Sequence, residues 1–503
     1  MRILIASSEV HPYAKTGGLA DVAAALPRAL ARLGHDVRVV MPRHRCVDPK
    51  RFHLLPVMRE LDVFLGKNRL RGQVLRSTLK GSEAPIYFVQ SDPLFDRPEL
   101  YTEDGKDYPD NALRHAFFSL ATIWMLKGLD WAPDVIQAND WQTALIPLYL
   151  RNWPILTSDP FYRQTRVLFT IHNLAYQGLA EPSALPQIGI DWSLYNPEGL
   201  EFFNKVNLLK GGIVHADQIS TVSPTYAEEI KTVKFGCGLD GVLRDRASRL
   251  HGILNGIDTD EWNPAKDPRI SAKFSADDLA GKAQCKADLQ ARCGLKESAE
   301  APLLGVISRL AEQKGIELIG AAAKRLLERG CQLAVLGSGD AKYRTLLTKL
   351  AKGHPGQVSV NFVFDEDLAH MIEAGADLFL MPSLYEPCGL NQMYSLRYGT
   401  VPVVRATGGL ADSVVDATEK SLKDGTATGY SFTEETGDAL ATTVERALDL
   451  RQRDAGAWTR LVKTGMKADF SWKASARKYE ALFKEMSGQG GKRSGEAIDP
   501  KRR

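Results

Sequence analysis

Short apolar runs alternate with amphipathic stretches along most of the chain, and this alternation predicts its secondary structure. Residues 1–7 read as a buried strand, and residues 19–33 place apolar side chains at the three- and four-residue spacing of a helix. The further runs in the first half that predict strands are 36–41, 135–137, 167–171 and 219–222.

The second half repeats this pattern, with helical stretches such as 315–329 between the apolar runs. Strands and helices that alternate at this spacing predict parallel sheets with crossover helices, which is the α/β class. The runs that predict strands here are 303–308, 331–336, 358–363, 378–381 and 401–404.

One residue conflicts with the first predicted helix. Pro27 lies inside the helical pattern, where a proline costs about 3 kcal/mol unless the helix kinks or restarts. We therefore predict that the helix forms and that it kinks near Pro27.

The chain divides in a segment rich in Lys, Asp, Ala and Ser, residues 263–301, where Pro264 and Pro268 interrupt any regular element. The predicted domains are an N-terminal α/β domain, 1–255, and a C-terminal one, 256–469. A terminal helix follows at about 470–486, and residues 487–503 form a predicted disordered basic tail.

Composition supports an ordinary globular protein. The chain has 503 residues, of which 44% are hydrophobic and 25% charged. Its net charge of +3 comes from the last 17 residues, so the body of the chain is neutral. A nucleic-acid-binding surface normally needs a clustered excess of Lys and Arg, so no nucleic-acid partner is expected.

Membrane and secretory signals are also missing from the pattern. The longest charge-free run, residues 167–180, is shorter than the roughly 20 residues that a membrane helix needs, and the N-terminal residues do not resemble a signal peptide. Six cysteines without a Cys-x-x-Cys pair indicate neither a disulfide scaffold nor a zinc site. We predict a cytoplasmic protein with no membrane partner.

Ligands of open parallel sheets bind outside the carboxyl ends of the strands, so polar residues that follow a predicted strand are the candidates. Lys15, Gly17 and Gly18 follow the first strand and lead into the first helix, whose free N–H groups can bind a phosphate. A plain glycine-rich turn is the alternative. The dinucleotide fingerprint G-x-G-x-x-G is missing here, which weighs against a nicotinamide cofactor.

Arg309 and Lys314 follow the strand at 303–308 in a loop that then starts a helix. Arginine offers a planar fork of donors and lysine a compact charge, so this pair is suited to a pyrophosphate. Two ordinary surface charges are the alternative.

Glu386 follows the strand at 378–381 and precedes Cys388, Gly389 and Leu390. The loop places a carboxylate and backbone N–H groups at the same sheet edge. No His–Asn set is placed to activate the cysteine, so we interpret Cys388 as a small packed residue rather than a nucleophile.

Two further polar groups follow strands of the first half. His172 and Asn173 come after the strand at 167–171, and Asp140 comes after the strand at 135–137. A single histidine at a strand end is more often packed than catalytic, so its role depends on the rest of the set.

Together these loops resemble the glycogen and starch synthases, nucleotide-sugar glucosyltransferases of the two-domain glycosyltransferase-B (GT-B) architecture. The resemblance runs in order through nearly the whole chain. One departure is Gln137-Ala138-Asn139 before Asp140, where the family often has a histidine. The segments that carry the resemblance are 15–22, 108–111, 139–141, 172–178, 255–258, 308–315, 386–392 and 407–413.

The resemblance implies two Rossmann-like doubly wound domains that face each other across a deep cleft, with the terminal helix returning to the first domain. It implies transfer of glucose from ADP-glucose to the non-reducing 4-OH end of glycogen or another α-1,4-glucan, with retention and release of ADP. Two cations of the chain can take the place of a metal at the diphosphate, so neither a metal nor a cofactor is expected.

The resemblance also implies roles for the candidate residues. Arg309 and Lys314 stabilise the departing diphosphate, His172 lies near the anomeric carbon, and Glu386 holds the glucose hydroxyls. The predicted acceptor and sugar side is formed by Tyr108, Asp140 and Asn173. The residues implied to bind the donor are Lys15, Gly17, Gly18, Asp21, Asn255, Cys388, Gly389 and Leu390.

Two alternatives stay open on the sequence. One is a related retaining GT-B glycosyltransferase that uses UDP-glucose, because contacts to the nucleotide base leave little trace in one sequence. The other is a catalytically silent glucan-binding protein. The presence of all the charged candidate residues argues against it. A glucan phosphorylase is disfavoured, since no pyridoxal-phosphate lysine motif is recognisable.

Overall fold

The structure is a computed structural model, and it describes residues 1–488. Twenty strands and eighteen α-helices lie in this part of the chain. The strands are β1 (Arg2–Ala6), β2 (Asp36–Pro42), β3 (Leu55–Leu65), β4 (Asn68–Thr78), β5 (Pro85–Gln90), β6 (Thr102–Glu103), β7 (Lys106–Asp107), β8 (Val135–Asn139), β9 (Arg166–Ile171), β10 (Leu179–Ala180), β11 (Glu201–Phe202), β12 (Lys205–Asn207), β13 (Gln218–Thr221), β14 (Leu250–Gly252), β15 (Leu303–Ile307), β16 (Gln332–Leu336), β17 (Val358–Asn361), β18 (Leu378–Met381), β19 (Val401–Arg405) and β20 (Tyr430–Phe432).

The helices connect these strands and cover the sheet faces. They are α1 (Gly18–Arg32), α2 (Asp92–Phe95), α3 (Asn111–Gly128), α4 (Leu145–Asn152), α5 (Pro154–Thr157), α6 (Leu208–His215), α7 (Pro224–Glu229), α8 (Asp240–Asp245), α9 (Ala280–Arg292), α10 (Ile316–Glu328), α11 (Ala341–Gly353), α12 (Glu366–Gly375), α13 (Asn391–Arg397), α14 (Gly408–Ser413), α15 (Glu419–Asp424), α16 (Gly437–Arg453), α17 (Ala455–Lys467) and α18 (Trp472–Met486).

The chain forms two compact units. The first unit contains Met1–Ser220, Gly236–His251 and residues 475–488, and the second contains Thr221–Phe235 and Gly252–Ala474. The terminal helix predicted near the end of the chain is α18. The domain limits expected from the sequence, 1–255 and 256–469, stay predictions.

The main sheet of the first unit has nine strands in the order β14-β13-β9-β8-β1-β2-β5-β4-β3. The pairs β1–β2, β1–β8, β2–β5 and β8–β9 are parallel, whereas β3–β4 and β4–β5 are antiparallel. Strand order reverses at β1, because β2 lies on one side of it and β8 on the other. This reversal creates a topological switch point at the carboxyl ends of β1 and β8.

The sheet of the second unit has six strands in the order β17-β16-β15-β18-β19-β20, and all five of its pairings are parallel. Its switch point lies between β15 and β18. Successive side chains along the strands enter opposite core clusters: Leu333 and Val335 of β16 pack into one, and Ala334 and Leu336 into the other. The sheet is therefore covered on both faces, as parallel sheets require.

These observations confirm the predicted α/β class with two parallel sheets. The antiparallel hairpin β3–β4 was not predicted, because its residues are largely exposed and show no clean alternation. Helix α1 forms as predicted and is continuous through Pro27.

Within residues 1–488, no helix is long and apolar enough to span a membrane. Most of the predicted tail, residues 489–503, lies outside the described residues.

Candidate active site

Several predicted residues of the first unit lie on loops at the carboxyl ends of β1, β8 and β9, at or next to the switch point. The loop after β1 carries Lys15 and Gly17, and α1 begins at Gly18. Asp140 directly follows β8, and His172 directly follows the neighbouring β9. Because these strands are adjacent and parallel, their carboxyl ends bring the loops to one edge of the sheet.

Glu9 organises the loop after β1. Its carboxylate accepts hydrogen bonds from the backbone N–H of Thr16 at 2.5 Å, the Thr16 hydroxyl at 2.6 Å and the backbone N–H of Gly17 at 3.2 Å. The Tyr101 hydroxyl donates to the same carboxylate at 2.8 Å. The Gly17 amide, expected from the sequence to serve a phosphate, thus already has an internal acceptor.

Neither Glu9 nor Tyr101 was selected from the sequence. Glu9 is the first acidic residue after β1, so its position at a strand end was the available signal. Tyr101 gave no local signal, because the contact with Glu9 joins residues 92 positions apart.

The two glycines of this loop face open space. A Cβ atom built on Gly17 or Gly18 would meet no other atom within 4 Å, and neither residue has a positive φ. Neither packing within the protein nor backbone strain therefore demands glycine here, and room remains for a ligand close to the backbone. Lys15 forms an ion pair with Asp21 at 2.7 Å, with both side chains partly exposed.

Asp140 lies at the carboxyl end of β8 with a positive φ of 55°. One carboxylate oxygen accepts the backbone N–H of His172 at 2.7 Å, and the Asn173 backbone also donates to this group. Burial nevertheless raises the pKa of Asp140 to about 7, against the lowering effect of these hydrogen bonds. The loops after β8 and β9 are thereby joined.

Burial lowers the pKa of His172 to about 3, so its imidazole is neutral near pH 7. Nε2 lies 2.9 Å from Oδ1 of Asn139, whose Nδ2 donates to the Ala6 carbonyl at 2.9 Å. Since that contact fixes Oδ1 as the acceptor, we assign the proton to Nε2. Nδ1 is then left with a lone pair that can accept a hydrogen bond.

The other two residues predicted for the sugar side have local structural contacts. Asn173 Oδ1 accepts the backbone N–H of Ala175 at 3.0 Å. Tyr108 is buried, and its ring packs against the guanidinium groups of Arg97 at 4.7 Å and Arg114 at 4.9 Å.

In the second unit, the loops after β15 and β18 touch through their backbones. Gly315 has a φ of 65°, and a Cβ atom on it would lie 2.0 Å from the Pro382 carbonyl oxygen. The Leu384 N–H donates to the Gln313 carbonyl at 2.8 Å. This close approach fixes the position of the preceding residue, Lys314.

Lys314 and Glu386 form an ion pair at the switch point, with Nζ 2.6 Å from Oε2. The Ser383 hydroxyl donates to the same oxygen at 3.0 Å. The pair is largely shielded from solvent, with 18% of the Lys314 side chain and 7% of the Glu386 side chain exposed. Arg309, on the loop after β15, is exposed. The structure therefore brings together a cation and a carboxylate that lie 72 positions apart.

The loop after Glu386 packs tightly on the start of α14. A Cβ atom on Gly408 would lie 2.0 Å from the Glu386 carbonyl oxygen, and one on Gly409 would lie 2.1 Å from that of Cys388. Burial raises the pKa of Cys388 to about 12, although the thiol hydrogen-bonds to Asn255. A thiolate nucleophile needs a lowered pKa, so this environment disfavours that role for Cys388.

The remaining residues of this loop lead into α13. Gly389 has a φ of 71°, and Leu390 is the residue before the helix. Among residues 1–488, one group of three side chains has metal-ligand spacing, Glu261, Glu366 and His370, and none of the predicted site residues belongs to it.

Comparison with known protein families defines the class. Residues 2–245 match the family described as "Starch synthase catalytic domain", and residues 291–459 match "Glycosyl transferases group 1". The catalytic domain of starch synthase IV from Arabidopsis thaliana, solved with ADP and acarbose, is 36% identical with a TM-score of 0.88, and the match covers 97% of this chain and 99% of that one. Two α/β parallel-sheet domains, as in the GT-B fold of the starch synthases, are thus present.

Curated relatives are more similar still. A glycogen synthase of Anaeromyxobacter dehalogenans (strain 2CP-C) is 50% identical over 490 residues, covering 97% of this chain and 100% of that protein. Glycogen synthase 2 of Geobacter sulfurreducens is 47% identical over 484 residues, covering 96% and 98%. The chain belongs to the glycogen synthase family, and its activity is that of a glycogen synthase, which confirms the function predicted from the sequence.

Proposed function

We propose that the glucosyl donor is ADP-glucose and that the acceptor is the non-reducing 4-OH end of glycogen or another α-1,4-glucan. The support for the donor is the starch synthase IV relative, which holds ADP. ADP is the product that an ADP-glucose donor releases. We further propose that the reaction takes place in the cytoplasm, where the six free cysteines fit a reducing environment.

The observation that carries the residue assignment is the Lys314–Glu386 pair at the switch point of the second unit. When the bond between the anomeric carbon and the β-phosphate oxygen breaks, negative charge develops on the diphosphate. Lys314 and Arg309 supply two positive charges to it, and positioned charges of this kind act strongly where water is excluded. The predicted donor contacts of Lys15, Gly17 and Gly18 stay predictions, and the one for the Gly17 N–H has to compete with Glu9, which already accepts it.

The glucosyl group acquires positive character at the anomeric carbon as the diphosphate leaves. Glu386, held by Lys314 and Ser383, presents its carboxylate to the glucose hydroxyls and stabilises that charge. His172 is neutral, and its Nδ1 accepts a hydrogen bond from the C6 hydroxyl. The acceptor hydroxyl oxygen then bonds to the anomeric carbon on the face that the diphosphate left, which retains the configuration, and its proton passes to an oxygen of the departing diphosphate.

The other assignments also stay predictions. On the donor side, Asp21, Asn255 and the loop residues 388–390 are predicted to contact the nucleotide sugar. On the sugar side, Asp140 joins the loops that carry His172 and Asn173. The predicted contact of Tyr108 with the sugar is the assignment that its buried packing supports least.

The donor assignment is tested by nucleoside diphosphate release with glycogen as acceptor, comparing ADP-glucose with UDP-glucose, each with and without EDTA. Faster turnover of ADP-glucose is the expected result, and we expect EDTA to leave it unchanged because cations of the protein stabilise the leaving group. A preference for UDP-glucose would overturn the donor assignment. Loss of turnover on brief exposure to EDTA would overturn the metal-free mechanism.

Lys314→Ala tests the leaving-group assignment. We expect kcat to fall about 10²- to 10³-fold, the size typical of removing one group that stabilises transition-state charge. Lys324→Ala is the matched control, because Lys324 lies on the helix that follows the same loop and its side chain is 87% exposed. If the loss of activity in Lys314→Ala is accompanied by an equally severe loss of thermal stability, the residue is structural and the assignment fails.

A further inference from the structure

Three potential metal ligands lie together in the second unit, away from the predicted site residues. Glu366 and His370 are one turn apart on α12 and so share a helix face. Glu261 comes from the segment that follows β14. A carboxylate oxygen from each glutamate and a ring nitrogen of His370 lie within 4.8 Å of one another.

His370 is buried, with none of its side chain exposed. Nδ1 lies 2.7 Å from a carboxylate oxygen of Asp267, which also accepts the Tyr398 hydroxyl at 2.6 Å. Because a carboxylate only accepts, Nδ1 carries a proton, and Nε2 is the ring nitrogen that remains for a ligand. Nε2 has no hydrogen-bond partner within residues 1–488, and a buried polar atom left in this way costs about 1–3 kcal/mol.

The orientation of this imidazole is fixed by aromatic packing. The Trp262 ring stacks on His370 with centroids 3.8 Å apart and an interplanar angle of 12°. Its other stacking partner is Tyr394, at 3.9 Å and 11°. Trp262 also immediately follows Glu261, so the same packing holds that glutamate near α12.

We propose that Glu261, Glu366 and His370 bind a divalent cation of the zinc class. Two carboxylates and a neutral imidazole are zinc ligands, and the Asp267–His370 pair is the carboxylate–histidine arrangement that orients a metal-binding imidazole. The cation binds the lone pair of Nε2 and balances the two exposed glutamates, one of which now lies 3.4 Å from Arg269. It ties the segment after β14 to α12, which is a structural role separate from glucosyl transfer.

The test uses the full chain, freed of metal with EDTA and then titrated with ZnCl₂. Bound zinc is measured by mass spectrometry of the desalted protein, and the melting temperature is followed in parallel. We expect one zinc ion per chain and a melting temperature that rises with zinc. Glu261→Gln and Glu366→Gln should each weaken zinc binding about tenfold or more and abolish the thermal shift.

Asp367→Asn is the matched control, because Asp367 neighbours Glu366 and also pairs with Arg269, at 3.0 Å, but does not belong to the triad. It should bind zinc like the unsubstituted chain. Unchanged affinity in both glutamine variants, equal loss in Asp367→Asn or binding of MgCl₂ as tight as that of zinc would overturn the proposal. Turnover at 25 °C should persist without the metal, which keeps this result separable from the leaving-group mechanism.

Discussion

Asp140 and His172 lie at the same buried edge of the sheet, and burial shifts their pKa values in opposite directions. Burial disfavours the charged form of each, so it raises the pKa of the carboxyl group to about 7 and lowers that of the imidazole to about 3. Near neutral pH the histidine is therefore uncharged, whereas the aspartate is balanced between its two forms. The same environment makes the aspartate the group whose protonation changes in the working range of pH.

This shift predicts a pH-dependent stability. Between about pH 4 and pH 7 the folded state holds a proton on Asp140 that the unfolded state has released, so stability falls as pH rises through this window. One such proton amounts to about 1.4 kcal/mol per pH unit. The difference in unfolding free energy between the unsubstituted chain and Asp140→Asn should therefore decline from pH 4 to 7 and then level off.

Urea unfolding of both proteins at each pH measures this difference. Asp130→Asn is the control, because Asp130 also has a positive φ, of 47°, but is exposed. Its difference from the unsubstituted chain, measured at each pH, gives the baseline for a substitution at an exposed position. A pH-independent difference for Asp140→Asn would show that the Asp140 carboxyl group is not protonated preferentially in the folded state.

At the scale of elements, the junction of β15 and α10 depends on a single glycine. Gly315 combines a positive φ of 65° with a close approach to the Pro382 carbonyl. Gly330, at the end of α10, also has a positive φ, of 80°, but no atom lies within 4 Å of a Cβ built there. The two positions therefore separate backbone strain from steric conflict.

Gly330→Ala should cost only the strain of the left-handed conformation, roughly 1–2 kcal/mol. Gly315→Ala should cost more, because the loop after β18 must also move, and it should lower kcat by displacing Lys314 from Glu386. Chemical unfolding and ADP release measured on both variants check this. Equal destabilisation with full activity in both would show that the loop contact does not position Lys314.

The predicted strands of both parallel sheets formed because each is a short apolar run bounded by polar residues, which local sequence can reveal. The hairpin β3–β4 was missed because a largely exposed strand carries no such run. Contacts such as Tyr101–Glu9 and Lys314–Glu386 depend on the strand order, which local pattern does not contain. The sequence therefore predicted which loops carry polar groups, but not how their side chains pair.

At the scale of the whole molecule, the two units share one arrangement of strands and charged loops. In each, the strand order reverses beside the first strand of the sheet, and the charged residues lie on the loops that follow the strands at this reversal. Within the second unit, we assign Arg309 and Lys314 to the same departing diphosphate. Two cations that act on one group should have interdependent effects on turnover.

A double-mutant cycle tests this interdependence through kcat/KM for ADP-glucose. Arg309→Ala and Lys314→Ala each remove a cation assigned to the same diphosphate, so the second removal should cost less once the first has been made. We expect the double variant to deviate from additivity by about 1 kcal/mol or more. Arg309→Ala combined with Lys324→Ala should be additive within about 0.5 kcal/mol, because Lys324 is a surface lysine with no assigned role. Additive losses in the first cycle would mean that the two cations act on separate groups, and the assignment of Arg309 to the donor phosphate would then fail.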